Sequence, residues 1–301
     1  MDWESFYDTH PSPSTHEPTI CEVENFVCSH ENEKIVFVTS GGTTVPIEHN
    51  TVRFVDNFSV GTRGSASAEY FLQCGYCVIF LYRSNSLEPF VRHFNNSLLD
   101  KFEIVDNKSI QMKQSEFDTL YPVLKKFKDA KEANRLLSIS FTTLIEYMWL
   151  VRGCCMLLDT KYCMLYFAAA VSDFYIPPSE MKEHKHQSND GPPLIALRLV
   201  PKVLPAVTHI WSPNAYIISF KLETDAEILL EKCKSALAKY KHQLVIGNLL
   251  STRKHNVKLV SRDGIEDITL STADSETGLE IEYLIVTNLE AKHDAYIKSK
   301  Q

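Results

Sequence analysis

Lys34-Ile35-Val36-Phe37-Val38-Thr39 is an apolar, β-branched run that ends abruptly in Ser40-Gly41-Gly42-Thr43-Thr44. A run of this kind, bounded by small turn-forming residues, predicts a buried strand feeding a tight loop. Gly64 to Cys74 then reads as a helix and Cys77 to Tyr82 as a second apolar strand. The alternation continues: Phe117 to Glu132 is helical, Leu136 to Phe141 a strand, Thr143 to Leu158 a helix and Met164 to Val171 a strand. Leu194 to Val200 and Tyr216 to Phe220 read as strands, Ala226 to Tyr240 as a helix and Leu244 to Gly247 as a strand. Val257 to Ser261 and Ile265 to Leu270 flank Asp263-Gly264, a hairpin signal, and Leu279 to His293 closes the chain as a helix. Continuously apolar strands alternating with helices imply an α/β fold. Its sheet is mostly parallel, with helices on both faces and a small antiparallel C-terminal extension.

Composition agrees with that reading. The chain has 301 residues, 44% hydrophobic and 23% charged, which is enough apolar material for a core and excludes global disorder. Its 31 basic and 38 acidic residues leave a net charge of −7, which argues against a sequence-independent nucleic-acid binder. No segment reaches the roughly 18 apolar residues of a membrane helix. Residues 1–18 are acidic and rich in Pro and Ser, without the basic start and apolar centre of a secretory signal. They are expected to form a disordered tail on an intracellular, cytoplasmic protein, with residues 19–301 as one domain opened by a short helix from Thr19 to His30. Ser84 to Ser115 is polar and irregular, and is expected to be an insertion that covers the sheet or meets a partner.

The eight cysteines read as free thiols. Cys74-Gly75-Tyr76-Cys77 matches Cys-x-x-Cys, but no second pair completes a zinc site. Gly75 instead looks like a helix C-cap, with Cys74 on the helix and Cys77 on the next strand. The Asn-x-Ser sequons at Asn57, Asn95 and Asn107 carry no meaning without a secretory route. The sequence lacks Gly-x-Gly-x-x-Gly, the P-loop pattern, Gly-x-Ser-x-Gly and His-Glu-x-x-His.

In open α/β sheets, ligands bind beyond the carboxyl ends of the strands. Four predicted strand ends carry small or polar residues: Ser40-Gly41-Gly42-Thr43-Thr44, Ser172-Asp173 after Ala168 to Ala170, Ser219 to Asp225, and Gly247-Asn248. Gly41 and Gly42 could present backbone N–H groups to a phosphate, and Gly61-Thr62-Arg63-Gly64 opens a helix whose N-terminus favours anions. Taken alone, both signals read first as an ordinary turn and helix start. Between them lies Arg53-Phe54-Val55-Asp56-Asn57-Phe58-Ser59, with an Arg able to clamp a carboxylate or phosphate and an Asn able to donate to an oxygen. Glu183-His184-Lys185-His186-Gln187 follows a Pro-containing loop and offers a lysine that could close over phosphates; a solvated charged loop is the plain alternative.

Taken together and in order, these segments resemble the phosphopantothenate–cysteine ligase (phosphopantothenoylcysteine synthetase) family, in its stand-alone animal form. The resemblance spans about Lys34 to His293 and includes Val200-Pro201-Lys202 and Ile218-Ser219-Phe220-Lys221-Leu222-Glu223-Thr224-Asp225. It implies a Rossmann-like homodimer that joins 4′-phosphopantothenate to L-cysteine in coenzyme A biosynthesis. In the reaction it implies, the carboxylate attacks a nucleoside triphosphate, pyrophosphate leaves, and the cysteine amine displaces the nucleoside monophosphate. Mg2+ accompanies the triphosphate, which is ATP in animal-type members and CTP in bacterial ones. By position, the resemblance implies that Gly41, Ser59, Gly61 and Gly64 hold phosphates. Ala169, Ala170 and Asp173 would line base and ribose, with Phe220 against the base and Asn248 beside it. Asn57 and Lys185 would be catalytic and Arg53 would reach the phosphopantothenate across a dimer interface; no residue is assigned to a metal. Three departures stand out: His186-Gln187-Ser188 replaces the lysines of bacterial members, His186 is polar where an apolar residue is expected in animal relatives, and Gly247 stands where alanine is usual. A nicotinamide oxidoreductase is disfavoured by the missing glycine fingerprint, and a non-catalytic binder by the joint presence of Asn57, Lys185 and Arg53.

Overall fold

The structure is a computed structural model that describes residues 2–94, 97–106, 108–187, 189 and 191–300. Its chain opens with helices α1 (Trp3–Thr9) and α2 (His16–Ser29) and then enters β1 (Ile35–Ser40). A small hairpin, β2 (Thr44–Pro46) and β3 (Phe54–Asp56), precedes α3 (Thr62–Gln73) and β4 (Cys77–Arg83). The hairpin β5 (Phe102–Val105) and β6 (Ser109–Met112) leads to α4 (Gln114–Glu132), β7 (Leu136–Phe141), α5 (Leu144–Leu157) and β8 (Cys163–Phe167). Short β9 (Phe174–Tyr175), β10 (Arg198–Leu199) and α6 (Leu204–Ala206) connect to β11 (Tyr216–Glu223), α7 (Ala226–Tyr240) and β12 (Leu244–Leu249). The chain ends with β13 (Asn256–Ser261), β14 (Ile265–Thr269), α8 (Thr272–Glu276) and α9 (Ile281–Ser299).

One eight-stranded sheet organises the molecule, in the order β14-β13-β12-β11-β8-β1-β4-β7. The six strands from β12 to β7 are mutually parallel, whereas β13 and β14 run antiparallel at one edge, as the hairpin signal implied. All six residues of β1 are buried, because layers cover both faces of this central strand. Ile35 and Phe37 enter a core with Phe6, Phe26, Met148 and Leu165, while Val36 and Val38 enter the opposite core with Phe71, Phe80 and Leu289. This is the period of two expected of a strand, here used on both faces. Each such side chain contributes about 1.5–3 kcal/mol by leaving water. Strand β1 has β4 on one side and β8 on the other, so the chain reverses direction across the sheet between β1 and β8. Their carboxyl ends therefore form the switch-point crevice of an open α/β sheet.

Three expectations need correction. The segment before Thr19 is not a disordered tail. Trp3, Phe6 and Tyr7 share one face of α1; Phe6 is fully buried, the Tyr7 hydroxyl donates to the Met148 carbonyl at 2.8 Å, and Asp2 caps the helix through Ser5 N. The Pro and Ser residues form only the bend before α2, which begins at His16 rather than Thr19. The Met164 strand stops at Phe167, because the Ala170 N–H turns to the Gly41 carbonyl and leaves the regular ladder. The run from Leu194 to Val200 yields only β10, paired with β9 outside the main sheet, and Leu194 and Leu199 are exposed. Within the irregular stretch from Ser84, β5 and β6 pair Ile104 with Ile110, both largely exposed. Asn95 and Asn107 lie outside the described residues. Gly75 takes φ +85° next to the helix-ending Cys74, as its C-cap reading required.

Candidate active site

The loop after β1 is held between two neighbours. Toward β8, the Thr43 N–H donates to the Ala170 carbonyl (3.2 Å), the Ala170 N–H to the Gly41 carbonyl (2.8 Å), and the Ser172 and Ala169 N–H groups to the Thr43 and Thr39 hydroxyls (2.9 and 3.2 Å). Toward the segment before α3, the Asn57 N–H donates to the Thr43 carbonyl at 3.2 Å. A Cβ on Gly42 would lie 1.8 Å from the Asn57 carbonyl oxygen, so only glycine allows Asn57 this position. Gly61 begins α3 at φ +84° and has no side chain to cap it, which leaves the first helical N–H groups open beside the β1 loop. Ser40 Oγ donates to the Gly61 carbonyl at 3.1 Å, and a Cβ on Gly64 would come within 2.5 Å of Ser40 Cβ. Gly41, Asn57, Gly61 and Gly64 thus border one cradle of backbone donors, with Ser59 on the segment that joins Asn57 to Gly61. Arg83 closes its side, paired with Asp56 at 2.6 Å, while Thr44 holds the other Asp56 oxygen.

Beside the cradle, β8 and β11 open a cavity of about 210 Å³. Ala169, Asp173 and Phe220 line it, together with Lys202 and Lys221. Phe220 packs edge-on to the buried Tyr166 ring, 5.0 Å between centroids, which fixes the aromatic wall. Lys202 pairs with Asp173 at the rim. Ala170 is half-buried in the β1–β8 lacing, and buried Asn248 donates to the Lys221 carbonyl at 2.9 Å, one residue behind the wall. A mostly apolar cavity with flanking cations beside a donor cradle suits a base joined to phosphates.

The remaining two predicted residues sit apart on exposed loops. Arg53 pairs with buried Glu48 at 3.3 Å and donates to the His186 carbonyl at 3.2 and 3.3 Å. Lys185, exposed, does not line the cavity; its loop lies against residues 48–53. Glu48, Arg83, Lys202 and Lys221 were given no role by sequence reasoning. Lys202 and Lys221 lay inside segments already singled out, but nothing in a linear pattern says which strand-end lysine turns into a cavity. The glycine at 247 also finds its reason, since a Cβ there would lie 2.8 Å from Cys233 Sγ.

For a metal, the oxygen donor at the cavity rim is the exposed Asp173 carboxylate, a donor type that fits Mg2+. Among the described residues, His30, Glu33 and Cys77 also bring ligand atoms within 4.8 Å of one another, by the amino ends of β1 and β4 and so at the opposite end of the strands from the cavity. Burial pushes the Cys77 thiol up to about 11, so it is protonated there.

Comparison with known proteins now bears on this geometry. The chain is 41% identical to human phosphopantothenate–cysteine ligase over 89% of its length and 88% of that protein. It belongs to the phosphopantothenate–cysteine ligase family. The family's Saccharomyces cerevisiae member, CAB2, is 39% identical over 98% of this chain and 86% of its own. A family model described as the DNA/pantothenate metabolism flavoprotein C-terminal domain matches residues 156–278, which include the cavity walls from β8 to β12. In structure, the chain is similar to a histidine-to-alanine variant of Cab2 in complex with phosphopantothenate-cysteine. The TM-score is 0.91 at 40% identity, over 99% of this chain and 100% of that one. The sheet order and antiparallel edge described above are thus those of a ligase-family fold. No helix among the described residues is long and apolar enough to cross a membrane.

Proposed function

We propose that this protein joins 4′-phosphopantothenate to L-cysteine, using ATP, with CTP as the alternative nucleotide. The observation that carries the reading is the pairing of an N–H-rich cradle at β1 and α3 with an apolar cavity between β8 and β11. In this reading the base lies between Ala169 and Phe220, the ribose near Asp173, and the phosphates over Gly41, Ser59 and the start of α3. Asn248 supports the wall from behind. Asn57, held by Gly42 and Thr43, directs its side-chain amide to the acyl oxygen, where fixed donors are most effective. Lys185 offsets charge as the carboxylate attacks the α-phosphate and expels pyrophosphate, and the cysteine amine then displaces AMP. Asp173, on release from Lys202, is the cavity-rim carboxylate that would hold Mg2+, an ion that would offset the phosphate charge when bound.

A homodimer belongs to this reading. Val52, Phe54, Val55, Phe58 and Val60 are exposed around Arg53, a strip of a kind that a second subunit covers. A cytoplasmic setting is supported by eight free cysteines, which suit a reducing compartment. Purified protein with 4′-phosphopantothenate, L-cysteine, Mg2+ and either nucleotide tests the proposal. Pyrophosphate release together with cysteine-dependent product mass is expected, faster with ATP. Pyrophosphate without product would remove Asn57 from its assigned role, and neither signal would end the ligase reading.

A further inference from the structure

We propose that Glu48 is a positioning residue that ties the Lys185 loop to the Arg53 segment. The proposal rests on the ligase reading for what those two side chains do, but the tie itself stands on geometry. Glu48 follows β2 on a surface hairpin, yet its side chain is 0% exposed. A buried carboxylate is costly unless its oxygens are satisfied. Here Oε2 accepts from the Arg53 N–H at 3.2 Å and Oε1 from the Arg53 guanidinium at 3.3 Å, and the nearby Val52 and His186 backbone N–H groups favour its charged form. Burial works against the charge, but these donors outweigh it and hold the group below the usual carboxylate range.

His186 is consequently held through its carbonyl, which accepts two bonds from the same Arg53 that Glu48 orients. Three residues earlier, the Glu183 carbonyl accepts from the Asn50 N–H at 3.0 Å and the Glu183 carboxylate from the Asn50 amide at 3.2 Å. The Lys182 carbonyl accepts from the His49 N–H at 3.0 Å. Lys185 is thereby suspended between two anchored points, with its side chain free to face solvent or substrate. One buried anion therefore fixes where an exposed lysine and an exposed arginine stand relative to each other.

Glu48→Gln keeps the shape and removes the charge. Displacing a working group by about 1 Å costs up to about a hundredfold in rate. The expected result is a ten- to hundredfold fall in acyl-nucleotide formation and a raised KM for phosphopantothenate, with the KM for nucleotide unchanged because the cradle is untouched. Glu48→Asp should recover part of the loss. Combining Glu48→Gln with Arg53→Ala should cost little more than the worse single change, since they act through one network. A lowered melting temperature with unaltered kinetic constants would reduce Glu48 to a structural residue and overturn the proposal. Hydrogen exchange separates this from the ligase reading: the Arg53 amide, which donates to Glu48, should exchange faster in Glu48→Gln whatever the activity, and unchanged exchange would overturn the tie on its own.

Discussion

The cradle and the two outlying loops carry the same kind of work by opposite means. Around Ser40 to Thr43 and Gly61 to Gly64, position is set by backbone contacts so close that single carbon atoms are excluded. Around Arg53 and Lys185, position is set by side-chain charge on exposed chain, with one buried carboxylate at the centre. A nucleotide's phosphates are invariant in shape, so a rigid receptor is affordable. The acid and the amine must enter and leave, which favours loops whose geometry depends on a few polar bonds. Damage should therefore appear differently in the two regions.

The largest effect should come from Gly42→Ala. Its Cβ would lie 1.8 Å from the Asn57 carbonyl oxygen, which forces the Asn57 segment outward. Loss of one well-placed donor costs about 10²–10³ in rate, and this change displaces Asn57 along with the cradle wall, so about 10³-fold is expected in product formation. A variant with near-normal turnover would show that the cradle yields as readily as the loops. Next comes acid. His293 is buried, accepts from the Tyr76 hydroxyl at 2.9 Å and donates to the Lys161 carbonyl at 3.0 Å, which leaves no room for a second proton. Burial pushes its pKa down to about 4 from 6.5. The unfolded chain then binds the extra proton first. The stability is therefore present above about pH 6.5 and lost as pH falls toward 4, by roughly 3 kcal/mol for a shift of this size. His293→Gln should flatten the urea-denaturation midpoint across that range; an equally steep dependence would place the acid sensitivity elsewhere, with His242 the next group to test since burial lowers it to about 4 as well. Lys185→Ala should slow pyrophosphate release in a single turnover by about a hundredfold. Stability should stay within about 0.5 kcal/mol, because the side chain is exposed. Unchanged release would leave the loop with no chemical part.

Much of this architecture was legible because it is written in local pattern. Every strand of the main sheet was expected within a few residues, and α7 at its observed bounds, since apolar runs and helical spacing survive without tertiary context. The N-terminal helix was not legible because Trp3, Phe6 and Tyr7, three aromatics at helical spacing, span a single short helix that Pro11-Ser12-Pro13-Ser14 cuts off. The site was legible as an ordered set of small residues at strand ends. Glu48 was not, because a glutamate in a polar loop looks solvated until the chain folds two distant segments over it. Nor does sequence say that Arg53, a natural anion clamp, already holds the His186 carbonyl.

Gly247 offers the smallest effect and the finest test of how the rigid region adapts. The family resemblance puts alanine there as the usual residue, yet here an added Cβ would stand 2.8 Å from Cys233 Sγ and 3.3 Å from Leu229 Cδ1. Both neighbours lie on α7, packed against β12 beneath the neighbouring Asn248. The fold thus keeps its packing by setting a smaller residue on the strand against a thiol on the helix. Gly247→Ala alone should destabilise by about 1–2 kcal/mol through overpacking. Added to Cys233→Ala, which removes the crowding atom, the same change should cost clearly less, and the difference is the coupling between the two positions. Nucleotide KM should hardly move in the double variant, because Asn248 keeps its bond to the Lys221 carbonyl. Additive costs in urea denaturation would mean that Leu229, rather than Cys233, keeps position 247 small. A raised nucleotide KM would mean that this end of the cavity lacks the backbone rigidity of the cradle beside it.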